Sequence, residues 1–167
     1  MVFPENGLLL AGFVLAHALW SVSDLPKQEL LVPLAIVETS QGRQLLRFEA
    51  ATQEEAIAKG KAHVSKLGAD VTAWAFAREG LVPEGSGKVD VISVDVWAKG
   101  MDKPITIIQR FEPYANRQHF RVIGVPEVVV NGVVLEQSKA QETVEAILRG
   151  TLSHSKVAPL WAGWHNP

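Results

Sequence analysis

A chain of 167 residues with 47% hydrophobic content is long and apolar enough to bury a core, which excludes disorder over most of its length. Sixteen basic against eighteen acidic residues leave a net charge of −2 with no Lys/Arg run, so no sequence-local footprint for nucleic acid or anionic lipid exists. The absence of cysteine removes disulfides, thiol nucleophiles, thiolate metal sites and iron–sulfur clusters.

The chain opens with an apolar run over residues 7–20. A helix is expected here from Glu5 or Asn6, either of which can cap it, to about Val22, with Pro26 as its latest stop. Glu5 and the lack of Lys or Arg ahead of the run argue against a secretory leader. The polar break at 21–24 and His17 within the run argue against a membrane span. A helix apolar nearly all round must be covered on more than one side. The expectation is therefore a buried or dimer-forming helix of a cytoplasmic protein.

Residues 30–38 then read as a strand, with Pro33 marking an edge position or a bulge because proline donates no ladder hydrogen bond. After the turn at Ser40-Gln41-Gly42, residues 43–50 return as the second strand of a hairpin. Thr52-Gln53-Glu54-Glu55 is a capping box that opens a helix, with Ile57, Gly60, Val64 and Leu67 on one face and Gly68 placed to end it. Gly60 on that apolar face suggests close approach to the small residues Ala73, Ala75 and Ala77 of the next strand.

Three strand-like segments follow at 71–79, 89–99 and 105–111, separated by polar breaks at 83–88 and 99–104, which predicts an antiparallel meander. A polar connection (114–119) leads to a short strand (120–124). Asn131-Gly132 between two valine-rich runs then predicts a type I′ hairpin, since both turn residues tolerate positive φ. Ser138-Lys139-Ala140-Gln141 is a second capping box, opening a helix over 138–149 with Ala140, Val144, Ile147 and Leu148 on one stripe and Gly150 as its stop. The tail, 151–167, carries Trp161 and Trp164 and is expected to pack across the body at 30–135.

The whole reads as one α+β domain, 1–167, with an antiparallel sheet built from a two-strand hairpin, a helix and a three-strand meander, followed by an added hairpin and helix. In element order its first seven elements resemble the profilin-like arrangement of small regulatory and trafficking modules. That resemblance implies a five-stranded antiparallel sheet ordered 2-1-5-4-3, while an α+β sandwich of other topology fits the same order.

Strand parity points to one candidate site. If Ala73, Ala75 and Ala77 lie under the helix with Ile92, Val94 and Val96, the opposite face carries Trp74, Arg78, Ser93, Asp95, Trp97, Thr106 and Arg110. Six-residue loops would set Trp74 opposite Trp97 and Thr106, and Arg78 opposite Ser93 and Arg110. Asp95 is then diagonal to both arginines, roughly 7–8 Å away between Cα atoms. Trp74, Arg78, Asp95, Trp97 and Arg110 would offer an anionic or aromatic small molecule a guanidinium fork and a stacking surface. The same residues also suit a structural charge cluster.

Elsewhere the signals are weaker. His17, His63, His119, His154 and His165 show no metal-ligand spacing, so no metal is expected. Gly80, Gly85 and Gly87 around Ser86 belong to a hairpin loop instead of a phosphate cradle, and no cofactor is expected. The leading expectation is a non-enzymatic module that forms a homo-oligomer and binds a protein partner or small ligand, without nucleic acid or membrane. The alternative is a small enzyme acting on an anionic molecule, with Arg78 and Arg110 as binders and Asp95 as general acid or base.

Overall fold

The computed structural model describes residues 2–26, 29–113 and 116–167. Helix α1 (Glu5–Val22) is followed by β1 (Leu34–Thr39), β2 (Gly42–Arg47), α2 (Gln53–Val64), β3 (Val71–Glu84), β4 (Gly87–Ala98) and β5 (Ile105–Glu112). The chain continues through β6 (Arg121–Val130), β7 (Val133–Val134), α3 (Gln137–Leu152), the single turn α4 (Trp161–Trp164) and β8 (His165–Asn166). The sheet order is β2-β1-β3-β4-β5-β6-β7, antiparallel throughout, with β8 added in parallel to β6. This is the expected α+β meander with an added hairpin and helix. Its central order is 2-1-3-4-5, so β1 pairs with β3, where a profilin-like sheet requires β1 beside β5.

The alternation of β3 assigns its two faces. Ala73, Ala75 and Ala77 share a core with Ile92, Val94, Val96, Ile105 and Ile107, and with α1 and α3. Trp74 and Phe76 point the other way, into a smaller core with Ala35, Val37, Phe48 and Val64. The alanine strand therefore makes room for α1 and not, as the sequence suggested, for α2. Gly60 of α2 is buried over the opposite face, where a Cβ would stand 2.2 Å from the Phe76 ring and 3.1 Å from Phe48. The glycine makes space for an aromatic ring, a packing demand that helical periodicity alone does not distinguish from contact with alanine.

The all-round apolarity of α1 has a similar explanation. One side rests on β3 and β4, and α3 crosses the other at very short range. A Cβ on Gly12 would meet the Ile147 carbonyl oxygen at 1.9 Å, and one on Gly150 would meet the Leu9 carbonyl oxygen at 2.1 Å. Backbones at that distance admit only glycine. Gly150 consequently lies inside α3, which continues to Leu152, and does not terminate it. The expected capping box at Ser138 also gives way: Glu136 is the N-cap, through its backbone carbonyl alone. By length and hydropathy α1 could pass for a membrane span (mean hydropathy 1.3 over 18 residues), yet 61% of it is buried within the fold.

Asn131 (φ 52°) and Gly132 (φ 78°) make the expected hairpin turn between β6 and β7, and one half of the expected capping box forms, Thr52 Oγ1 accepting the Glu55 N–H at 3.1 Å to start α2. The tail folds back on its own chain. Trp164 is buried, meets Phe120 edge-on at 4.9 Å and donates its indole N–H to the Arg117 carbonyl at 2.8 Å.

Candidate functional site

The register of the β3/β4 hairpin places Trp74 opposite Trp97, Phe76 opposite Asp95 and Arg78 opposite Ser93, all on the outer face of the sheet. Residues on neighbouring strands that are diagonal on one face come within reach of long side chains. Arg78 accordingly forks onto Asp95, with Nη1 2.9 Å from Oδ2 and Nη2 3.4 Å from Oδ1. Thr106 of β5 donates its hydroxyl to Oδ1 at 2.8 Å. Both side chains of the ion pair are 18% exposed. The guanidinium also lies 5.7 Å from the centroid of the Phe76 ring, within cation–π range.

Arg110 is on the same face but outside this group. The β4/β5 pairing sets Asp95 opposite Thr106 and Val91 opposite Arg110, two residues away from the register expected from equal loops. A shift of two preserves parity and hence the face, but moves Arg110 along the sheet. It pairs there with Glu127 of β6 through Nη1 and with Glu84 through Nε at 3.7 Å. Glu127 escaped the sequence reading because β6 carries an irregularity opposite residues 108–110, where the buried Gln109 amide donates to the carbonyls of Ile123 (2.9 Å) and Gly124 (3.3 Å). Trp97 donates its indole N–H to the Met101 carbonyl at 2.9 Å and packs against the smaller core that includes Trp74. The five residues thus fall into two ion-paired groups and a tryptophan pair, with Arg110 Nε buried and without a hydrogen-bond partner among the described residues. Neither described depression in the surface touches Asp95: the larger, about 320 Å³, lies between residues 2–4 and 100–105, and the smaller lies between α3 and Trp161.

A second constellation was not legible in the sequence. His17 of α1 and His154, 137 positions apart, meet with Nδ1 and Nε2 separated by 3.2 Å. The Lys156 N–H points at His154 Nδ1 (3.3 Å), which makes that nitrogen an acceptor and leaves the proton on Nε2 to donate to His17. His17 Nε2 is then an N–H donor, buried and without a partner among the described residues. Burial first, and then His154, Arg47 and Lys156, push the His17 pKa below 6.5. Burial, followed by Lys156, lowers that of His154. Phe13 lies 5.0 Å from the His154 ring, and Trp20 is covered by Arg117 at 3.5 Å and Lys156 at 5.4 Å. Among the described residues no three His, Asp or Glu side chains converge as metal ligands.

Comparison with known proteins gives no matching family model, no matching curated protein and no matching solved structure, so function has to be read from this geometry alone.

Proposed function

We propose that this chain is a non-enzymatic binding module of the cytoplasm that associates with itself through the outer face of β4, β5 and β6. One observation carries the reading: the central charges of that face are already paired within the chain, while apolar side chains among them stay half-exposed. Arg78 is held by Asp95, and Arg110 by Glu127 and Glu84. Trp97, Ile108, Ile123 and Val129 share the face, and α2 covers it only as far as Trp97. Burying half-exposed apolar surface is favourable at about 25 cal/mol per Å². With both guanidiniums paired and only one carboxylate in excess (Arg78 and Arg110 against Asp95, Glu127 and Glu84), such a face repels a copy of itself weakly, as an isologous two-fold contact requires. Catalysis by Asp95 is disfavoured because Arg78 and Thr106 already occupy its oxygens and neither depression opens beside it.

Sedimentation equilibrium tests the proposal. The wild type should dimerise, and Ile108→Asp, which adds an unpaired carboxylate at the centre of the face, should be a folded monomer. A wild type that is monomeric at about 100 μM, in the range of weak but specific association, would end the reading, as would a dimer that survives both Ile108→Asp and Val129→Asp.

A further inference from the structure

Among the described residues the sheet ends at β2, which pairs only with β1 and whose residues are almost all exposed. Such an edge presents unpaired N–H and C=O groups to any extended chain that can lie beside it. The pattern is set by one hydrogen bond. Phe48 donates its N–H to the Pro33 carbonyl at 2.9 Å, so the Phe48 backbone faces β1. Alternation along the antiparallel ladder then turns the backbone groups of Leu46 and Gln44 toward β1, and those of Arg47, Leu45 and Arg43 outward to the free edge.

The same three residues are distinctive in their side chains. Arg43, Leu45 and Arg47 stand opposite Glu38, Ile36 and Leu34, and Ile36 and Leu34 belong to the α1-side core. Their side chains therefore lie on the α1 side of the sheet. Arg43 reaches α1, its guanidinium 5.0 Å from the Phe13 ring, and Glu38 Oε2 accepts its Nε–H at 3.0 Å. Arg47 has no carboxylate within 4.0 Å among the described residues, and neither has Lys156, which covers Trp20 near the His17–His154 pair. Cationic charge without a full complement of anions thus borders an open row of backbone hydrogen-bonding groups.

We propose that the free edge of β2 takes an extended acidic peptide as an added strand, with carboxylates opposite Arg43 and Arg47 and an apolar side chain opposite Leu45. Backbone hydrogen bonds supply the attachment and alternate side chains the selection, as in strand addition generally. A second copy of this chain is a poor occupant. Antiparallel self-pairing that aligns the two Leu45 residues sets each Arg43 opposite the partner's Arg47, and like charges directly opposite are destabilising. This site is separate from the outer sheet face, so its fate does not depend on whether the chain dimerises there.

The test uses a labelled peptide with glutamates flanking a central valine at alternate positions, titrated into the full chain and followed by fluorescence polarisation. Binding is expected, weakening as salt rises and on Arg47→Glu. N-methylation of the peptide amides that would face β2 should weaken it at least about tenfold by removing backbone hydrogen bonds. Leu45→Pro should do the same without loss of any β1–β2 bond, because the Leu45 N–H points outward. Should Leu45→Pro fail to fold, the N-methylated and unmethylated peptides decide the matter on the wild type. The proposal falls if the peptide does not bind at about 1 mM, or if the N-methylated peptide binds equally well. It also falls if Leu45→Pro melts normally and still binds, or if it converts a wild-type dimer to monomer, which would give the edge to a second copy.

Discussion

Glu79 shows how a single side chain can set a pH response. It lies on the α1 side of β3, where Oε1 accepts the Leu31 N–H at 3.0 Å. Burial pushes its pKa above 4.5, against the Leu31 hydrogen bond, and the nearby Asp90 acts in the same direction as burial. A carboxyl with a raised folded pKa binds protons more tightly in the native state, so the stability it contributes is full below 4.5 and is lost as pH rises through the folded value. Glu79→Gln keeps an acceptor for Leu31 and removes the charge. Its melting temperature at pH 7 should exceed that of the wild type, with the difference shrinking as pH falls through the raised folded value toward 4.5 and no further change below it; an equal or lower value at pH 7 would show that ionised Glu79 is not penalised. The histidine pair has the opposite sign. Both pKa values are lowered, so the stability they contribute is present above 6.5 and lost as pH falls through the folded values. Chemical denaturation of a His17→Gln/His154→Gln variant should show a smaller loss of stability below pH 6.5 than the wild type. Neither effect was legible in the chain: the two histidines meet only after α1 and the end of α3 have packed, and Glu79 looks in sequence like any strand glutamate.

At the scale of elements, the parity of β3, β4 and β5 could be read from alternation because a period of two assigns each side chain to a face. The Arg78, Asp95 and Thr106 group follows from that parity, and a two-residue slip between β4 and β5 was enough to detach Arg110. Which helix covers which face could not be read this way. Alternation says that two faces differ, but α1 and α2 both present small residues, and only crowding by Phe76 distinguishes Gly60 from the glycines of the α1/α3 crossing. That crossing makes a sharp prediction. Gly150→Leu must separate two backbones and should destabilise by at least about 1–3 kcal/mol, a fall in melting temperature of roughly 2–12 °C for a chain of this size. Gly163→Ala, where an added Cβ meets nothing within 4 Å, is the control and should change little. A Gly150→Leu protein as stable as the control would contradict the close approach of the α1 and α3 backbones at Gly12 and Gly150. Val14→Asp, at a fully buried position in the same helix, should prevent folding outright, since an unpaired carboxylate has no compensation there; a folded Val14→Asp protein would contradict the burial of α1.

For the molecule as a whole, the sheet is covered unequally. α1 and α3 close its inner face, whereas α2 closes only the β1–β3 side of the outer one. The apolar first helix looked in sequence like a possible dimer surface, yet the fold consumes it, and the apolar side chains left half-exposed are dispersed over β4, β5 and β6 among charges, where no continuous run announces them. If two copies bury that face, folding is coupled to association and the apparent stability must depend on protein concentration by mass action. Each tenfold rise in concentration should then raise the wild-type melting temperature by about 1–3 °C, while Ile108→Asp should melt at the same temperature throughout. A wild type with no concentration dependence, measured across the range in which sedimentation reports dimer, would show that the dimer contact does not stabilise the fold, and burial of this apolar face as its basis would have to be abandoned.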